Sequence, residues 1–252
     1  MMAVIWVRSL IFNILFFGWS AFICVAMLPF IYFGKKGALR VNAIYMTVVY
    51  FLEKNILNLD YEVRGREYLP KSGSYLVAAK HQSAYETLKL FALFGDPAII
   101  LKKELADIPL WGKFLVNLDN IAIDRKNREE AVNSIVNGAL RVKEQGRPIV
   151  IFPQGTRVSI DMGVDKKPYK SGIAKMYTAA QLPIVPMALN TGIFWARNSF
   201  LKYPGKVIFE FLPPIAPGQS EADVMQDIRE RVEEASIRLL DEAREKYPHL
   251  PK

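Results

Sequence analysis

The sequence predicts an α/β fold: a mostly parallel sheet flanked by helices, preceded by an N-terminal two-helix membrane-anchoring motif. Three observations carry that expectation. The run from Ser9 to Gly34 contains no charged residue. After Asp60, short apolar segments alternate with amphipathic ones, the pattern of successive strand–helix units. Pro148-Ile149-Val150-Ile151-Phe152 is apolar at every position, as a strand buried on both faces of a parallel sheet must be.

The elements follow in order. At about 1.5 Å per residue, the uncharged run is long enough to cross a hydrocarbon core roughly 30 Å thick. A signal peptide would have a shorter apolar core followed by a small-residue cleavage site. A buried globular helix is the other reading, and the length argues against it. Pro29 ends or bends the first helix, and Gly34-Lys35-Lys36-Gly37 makes a basic turn. Val41, Tyr45, Val48, Leu52, Ile56 and Leu59 then recur at helical spacing. Two such helices form either a hairpin in one leaflet or a span with Lys35, Lys36 and Arg40 on the cytoplasmic side; both stay open. Residues 1–59 are thus the membrane-anchoring part and 60–252 a single catalytic domain.

Within that domain, Tyr61–Arg64 and Tyr75–Ala79 are predicted strands separated by the turn Pro70-Lys71-Ser72-Gly73. A helix over Ser83–Phe94 and a strand over Ala98–Leu101 follow. Next come a short helix opened by Ile108–Gly112, a strand over Asn120–Ile123 and a long helix over Asn127–Gln145. Beyond the apolar run, Ile173–Gln181 is helical, Ile184–Leu189 and Lys206–Phe211 are strands, and a helix from about Ala222 to Glu245 carries Val224, Ile228, Val232, Ala235 and Leu239 along one stripe.

Composition narrows the function. The net charge of +8 implies an anionic partner, whether a phosphorylated substrate, an anionic membrane surface or nucleic acid. Nucleic acid rests on charge alone, since no recognition module is present. The one cysteine, Cys24, excludes an internal disulfide and a thiolate zinc site, and fits a reducing compartment. No Gly-x-Ser-x-Gly elbow is present, which argues against a serine hydrolase.

Two segments carry chemistry. His81 lies between a predicted strand and helix, where ligands of open α/β sheets collect. Glu86, five residues on, can reach back to one ring nitrogen and leave the other to take a proton from an alcohol. Ser83 is the expected helix cap. About seventy residues downstream, Phe152-Pro153-Gln154-Gly155-Thr156-Arg157 closes the buried strand. Gly155 permits an unusual backbone angle, Thr156 offers a hydroxyl and an amide, and Arg157 can grip a phosphate with two nitrogens. Taken alone, each has a bland reading: a structural histidine, a solvated carboxylate, a surface arginine. Lys102 and Lys103 are weaker phosphate candidates whose default state is solvation, and Arg125 is another, whose bland reading is an ion pair with Asp124 or Glu129.

Four blocks stand in order between about residues 75 and 192: His81–Glu86; Leu101–Leu105 with Pro109 and Gly112 leading to Ile123-Asp124-Arg125; Phe152–Arg157; and Ile184-Val185-Pro186. In these the chain resembles the glycerophosphate acyltransferase superfamily, and within it the bacterial lysophosphatidate acyltransferases. The resemblance implies a seven-stranded, mostly parallel sheet behind a two-helix membrane motif at the cytoplasmic face of the inner membrane. It implies His81 as the base that deprotonates the free hydroxyl of 1-acyl-sn-glycerol 3-phosphate for attack on the thioester of acyl-CoA or acyl-carrier protein, giving phosphatidic acid. It implies Lys102 and Arg157 on the phosphate with Arg125 assisting, and neither a metal, a further cofactor nor an acyl-enzyme. Two positions depart from the family pattern: Glu86 stands where it has Asp, and Gln154 where it has Glu. The first keeps the charge one methylene further out. The second removes a charge beside the expected phosphate site, and either change fits a different acceptor, such as a lyso-ornithine lipid. A non-enzymatic lipid binder is the remaining alternative.

Overall fold

The computed structural model describes residues 1–124, 127–160 and 166–251. Its strands are β1 (Leu59–Arg64), β2 (Leu76–Ala79), β3 (Ala98–Lys102), β4 (Ile121–Ile123), β5 (Ile149–Ile151), β6 (Ile184–Leu189) and β7 (Gly205–Phe211). They form one sheet in the order β1-β7-β6-β2-β5-β3-β4. Every neighbouring pair is parallel except β6 with β7. A five-stranded parallel block from β6 to β4 is therefore extended by a pair, β7 and β1, running the opposite way.

Alternation along the central strands splits the core in two. Val77, Ala79, Val150 and Val185 face a cluster containing Tyr85, Leu90 and Leu93 of helix α3 (Tyr85–Phe94). Leu76, Ala78, Ile149 and Ile184 face the other side. There they meet Ile135, Ala139 and Val142 of α5 (Arg128–Glu144), Ile173 and Met176 of α6 (Gly172–Ala180), and Val224, Ile228 and Val232 of α8 (Glu221–Lys246). Asn127 caps α5 through its side chain, and Ser220 caps α8. A short α4 (Trp111–Asn117) and a single turn, α7 (Thr191–Phe194), complete the domain.

The amino-terminal helices are α1 (Met2–Ala26) and α2 (Gly34–Leu52). Lys35 and Lys36 lie in the first turn of α2, contrary to the expected basic turn; the connection is the 3-10 segment Leu28–Phe33, with Pro29 at its start. The physical reason is close packing. A Cβ on Gly37 would stand 2.0 Å from the Phe30 carbonyl oxygen, so the glycine lets α2 cross the connection and does not make a turn. Phe12 of α1 and Leu52 and Leu57 at the end of α2 join the cluster beneath α3. Leu59, expected on the helical stripe, opens β1 after a π-helical turn, Glu53–Leu57.

That π turn carries Glu53, which pairs with Lys89 of α3; both are buried. The ammonium group also lies over the rings of Tyr85, Tyr50 and Tyr61, at 4.7, 5.2 and 5.6 Å. Burial pushes the Glu53 carboxyl up to about 7 and the Lys89 amine down, with mutual attraction opposing both shifts. Removing one partner strands the other. Lys89→Met should lower unfolding free energy by about 3–5 kcal/mol, and the double variant Glu53→Leu/Lys89→Met should recover most of it. Denaturant unfolding in detergent, followed by tryptophan fluorescence, checks this; equal stability of the single variant and the wild type would dismiss the pair.

Candidate active site

Five parallel strands end on the same edge, and their carboxyl ends bring the sequence blocks together. β2 leads into His81 and its neighbour β5 into Phe152, while β2's other neighbour, β6, leads into Thr191. β3 ends in Lys102 and β4 in Ile123. Arg125 falls outside the described residues.

The histidine is held from three directions. Glu86 Oε1 lies 2.7 Å from His81 Nδ1, so an ionised Glu86 places the proton on Nδ1 and leaves the Nε2 lone pair free for an incoming proton. The ring stacks on Phe152 at 4.2 Å between centroids. The His81 carbonyl accepts the Val158 amide at 2.8 Å, which ties the two motifs through the main chain.

Glu86 in turn is fully buried. Its Oε1 also accepts the amides of Gln82 and Ser83, at 2.8 and 2.7 Å, while Ser83 Oγ accepts the Tyr85 amide at 3.0 Å. Glu86 and Ser83 thus satisfy amides at the start of α3, Glu86 that of Ser83 and Ser83 Oγ that of Tyr85. The N-cap position itself is Ala84, one residue beyond the expected Ser83, and the Glu86 carboxylate serves both the helix start and the histidine. Glu86 Oε2 accepts the Thr191 hydroxyl at 2.7 Å. Gln82 completes the frame by accepting the Gly192 amide at 3.0 Å.

In the Phe152–Arg157 turn, the Gly155 amide donates to the Phe152 carbonyl at 2.9 Å, with Gly155 at φ +69°. The Lys170 side chain lies along this glycine: a Cβ there would come 3.3 Å from Nζ. Both the angle and the neighbour favour glycine. Gln154 is 1% exposed and donates to the Lys167 carbonyl at 3.3 Å. An amide can make that donation and a carboxylate cannot, so the departure at 154 is locally consistent with the buried turn.

The same loop is braced from behind. Lys80, buried directly before His81, pairs with Glu233 of α8 at 2.7 Å, and the Tyr169 hydroxyl donates to the other oxygen of Glu233 at 2.9 Å. Burial, then the Glu233 charge, pushes the Tyr169 hydroxyl far above the usual tyrosine range, so it remains a donor.

His81, Lys102, Gly155, Thr156 and Arg157 all line one cavity of about 1190 Å³. Its remaining wall is largely apolar, with Val41 and Tyr45 from α2, Phe91 from α3 and Trp111 and Phe114 from α4. A histidine with one ring nitrogen unengaged by Glu86, a turn carrying an arginine and an apolar chamber therefore share one space. Sequence reasoning missed Thr191, Gln82, the Phe152 ring and Arg197, which also lines the cavity. For Thr191 a signal existed: it follows the carboxyl end of a strand adjacent to that of His81, but strand order is invisible before folding.

Residues 60–190, more than half of the chain, match the family model described as Acyltransferase. A 1-acyl-sn-glycerol-3-phosphate acyltransferase of Pseudomonas aeruginosa is 33% identical over 158 residues, 62% of this chain and 60% of that protein. The Escherichia coli protein of the same name is 31% identical over 157 residues, covering 62% of each chain. The Saccharomyces cerevisiae one is 29% identical over 195 residues, 77% of this chain and 64% of that protein. The chain spans about three-fifths of the length of these relatives. The crystal structure of the 1-acyl-sn-glycerophosphate (LPA) acyltransferase PlsC from Thermotoga maritima has the same fold: the TM-score is 0.73 at 22% identity, over 92% of this chain and 96% of that one.

The geometry around His81 makes a spectroscopic prediction. Nitrogen NMR of histidine-labelled protein should show His81 protonated at Nδ1 and not at Nε2 in its neutral form, and Glu86→Leu, which removes the acceptor, should abolish that preference. An unchanged tautomer in the variant would remove Glu86 from the arrangement.

Proposed function

The chain belongs to the acyltransferase family, and on that premise we propose that it transfers a fatty acyl group from acyl-CoA or acyl-carrier protein to the free hydroxyl of 1-acyl-sn-glycerol 3-phosphate, giving phosphatidic acid. The observation that carries this reading is the shared cavity: His81, the Gly155–Arg157 turn and Lys102 line the same chamber as an apolar wall suited to acyl chains.

The chemistry follows from the residues. His81 Nε2 takes the proton of the hydroxyl as its oxygen attacks the thioester carbonyl carbon. The tetrahedral intermediate collapses by breaking the carbon–sulfur bond, and the proton passes from the imidazolium to the departing thiolate. Glu86, anchored by two amides and Thr191, stabilises the imidazolium between these steps. Lys102, Arg157 and the turn at Gly155 and Thr156 hold the acceptor phosphate, with Arg125 assisting. Neither a metal nor a covalent acyl-enzyme enters the scheme.

The anchor fits the same picture. α1 has a mean hydropathy of 2.0 and exposes Trp6, Ile11, Ile14, Phe17 and Phe22 outward. Its inner side meets the domain: Ser9 Oγ accepts the Lys202 amide at 3.0 Å, and Asn13 Oδ1 accepts the Lys202 ammonium at 2.7 Å. A helix bonded along one flank to a water-soluble body is seated in one leaflet, with residues 1–59 as the anchor of the catalytic part, at the cytoplasmic face of the inner membrane.

Acyl transfer by detergent-solubilised protein tests the proposal, with labelled oleoyl-CoA or acyl-carrier protein offered to lysophosphatidate and a panel of other lysolipids. Phosphatidic acid formed by the wild type and lost in His81→Ala supports it; product only from another lysolipid, or none, sinks it. Glu86→Gln should lower kcat about a hundredfold or more with KM little changed. Thr191→Val should lower kcat about tenfold, and Thr191→Ser should restore it, since one hydrogen bond to a carboxylate is at stake. A Thr191→Val enzyme with wild-type kcat would leave Thr191 without a role in orienting the carboxylate.

A further inference from the structure

We propose that Arg197 is part of the acceptor-headgroup site and makes it selective for a phosphomonoester over zwitterionic or singly charged lysolipid headgroups. The inference deepens the acyltransferase reading and rests on it for the identity of the acceptor. Arg197 is exposed, lines the same cavity as His81 and Arg157, and its Nη1 donates to the Arg157 carbonyl oxygen at 2.9 Å. That bond sets a second guanidinium against the Gly155–Arg157 turn from a distant part of the chain.

Charge decides what such a wall prefers. Among the described residues lining the cavity are Lys102, Arg157, Lys170 and Arg197 and no Asp or Glu. A phosphomonoester carries about −1.5 to −2 at neutral pH, whereas a phosphodiester carries one negative charge. Lys102, Arg157 and Lys170 already favour the more highly charged headgroup. A further fixed cation raises the attraction for a dianion roughly twice as much as for a monoanion, and repels a headgroup that also carries an ammonium group.

The acceptor is also the right source of that phosphate. Its phosphate and reacting hydroxyl sit on the same glycerol, so a phosphate at the Arg157 turn keeps the hydroxyl near His81. The nearest phosphate of the acyl donor stands a whole pantetheine arm from the thioester carbon.

The placement of Arg197 is not incidental to a loose loop. Asn198 takes a left-handed angle, φ +57°. The Phe200 ring stands 5.5 Å from that of Trp6 on α1, and Lys202 is bonded to Ser9 and Asn13. Residues 196–202 thus form a strap between the site and the inner flank of α1.

Arg197→Gln is the informative change, because it removes the charge and keeps a polar side chain at this exposed position. Binding of micellar 1-oleoyl lysophosphatidate and lysophosphatidylcholine to the full-length protein should be measured alongside steady-state kinetics. The expected result is about tenfold weaker lysophosphatidate binding and about tenfold higher KM for that acceptor. Donor KM should be unchanged, kcat should stay within about twofold, and Arg197→Lys should recover most of the loss. The preference for lysophosphatidate over lysophosphatidylcholine should shrink by a similar factor. Selective binding by a wild type that shows no transfer would keep this site and refute the transferase reading. A normal Arg197→Gln beside a defective Arg197→Ala would overturn the proposal in favour of a backbone-holding role, as would a rise in donor KM alone.

Discussion

A buried carboxylate without partners is among the least favourable groups a protein can hold, and Glu86 is fully buried. It is stable there because His81, two main-chain amides and Thr191 all direct hydrogens at it. The rest of the site depends on that arrangement. The amides belong to the entry of α3, so forming the helix also fixes the carboxylate. The hydroxyl follows β6, so closing the sheet does the same. The histidine is then oriented by groups that have no freedom of their own, and Phe152 restrains its ring from the side.

The departure from Asp to Glu at position 86 makes sense in these terms. Accepting the Ser83 amide needs a side chain that bends back toward its own helix start, a reach for which Glu at this spacing is well suited. The extra methylene is absorbed by that bend, and the 2.7 Å contact to Nδ1 is kept. Gln154 is a second case of local logic: it is buried within the turn, where its amide donates to the Lys167 carbonyl.

Support for the site comes from buried charges placed on its far side. Lys80 and Glu233 lock the strand end before His81 to α8, and Tyr169 brings the 166–171 loop into the same network. Arg147 performs an analogous task at the opposite edge of the sheet, donating to the carbonyls of Asp96, Pro97, Leu118 and Asp119. Glu53 and Lys89 join the end of α2 to the helix bearing Glu86. Lys202, its amine lowered to about 8 by burial, joins α1 to the strap beyond α7. The apolar helices are thereby fastened to the frame of the site by polar bonds on their inner side, while the outer side of α1 remains apolar.

The sequence by itself determined the element types, because hydrophobic period and turn chemistry are local: the fully apolar run became β5, and the stripe from Val224 to Leu239 became the buried face of α8. It also determined the His81–Glu86 pair and the Phe152–Arg157 turn, since those partners lie within a few residues of one another. Tertiary structure alone decided which strands are neighbours. Nothing local says that β2 lies between β5 and β6, and that order is what sets Val158 against His81 and Thr191 against Glu86 across 105 residues. It likewise decided that Gly37 serves a helix crossing and that Arg197 joins Arg157. Contacts between residues far apart in the chain are selected by how whole faces pack, a property that no short window of sequence contains.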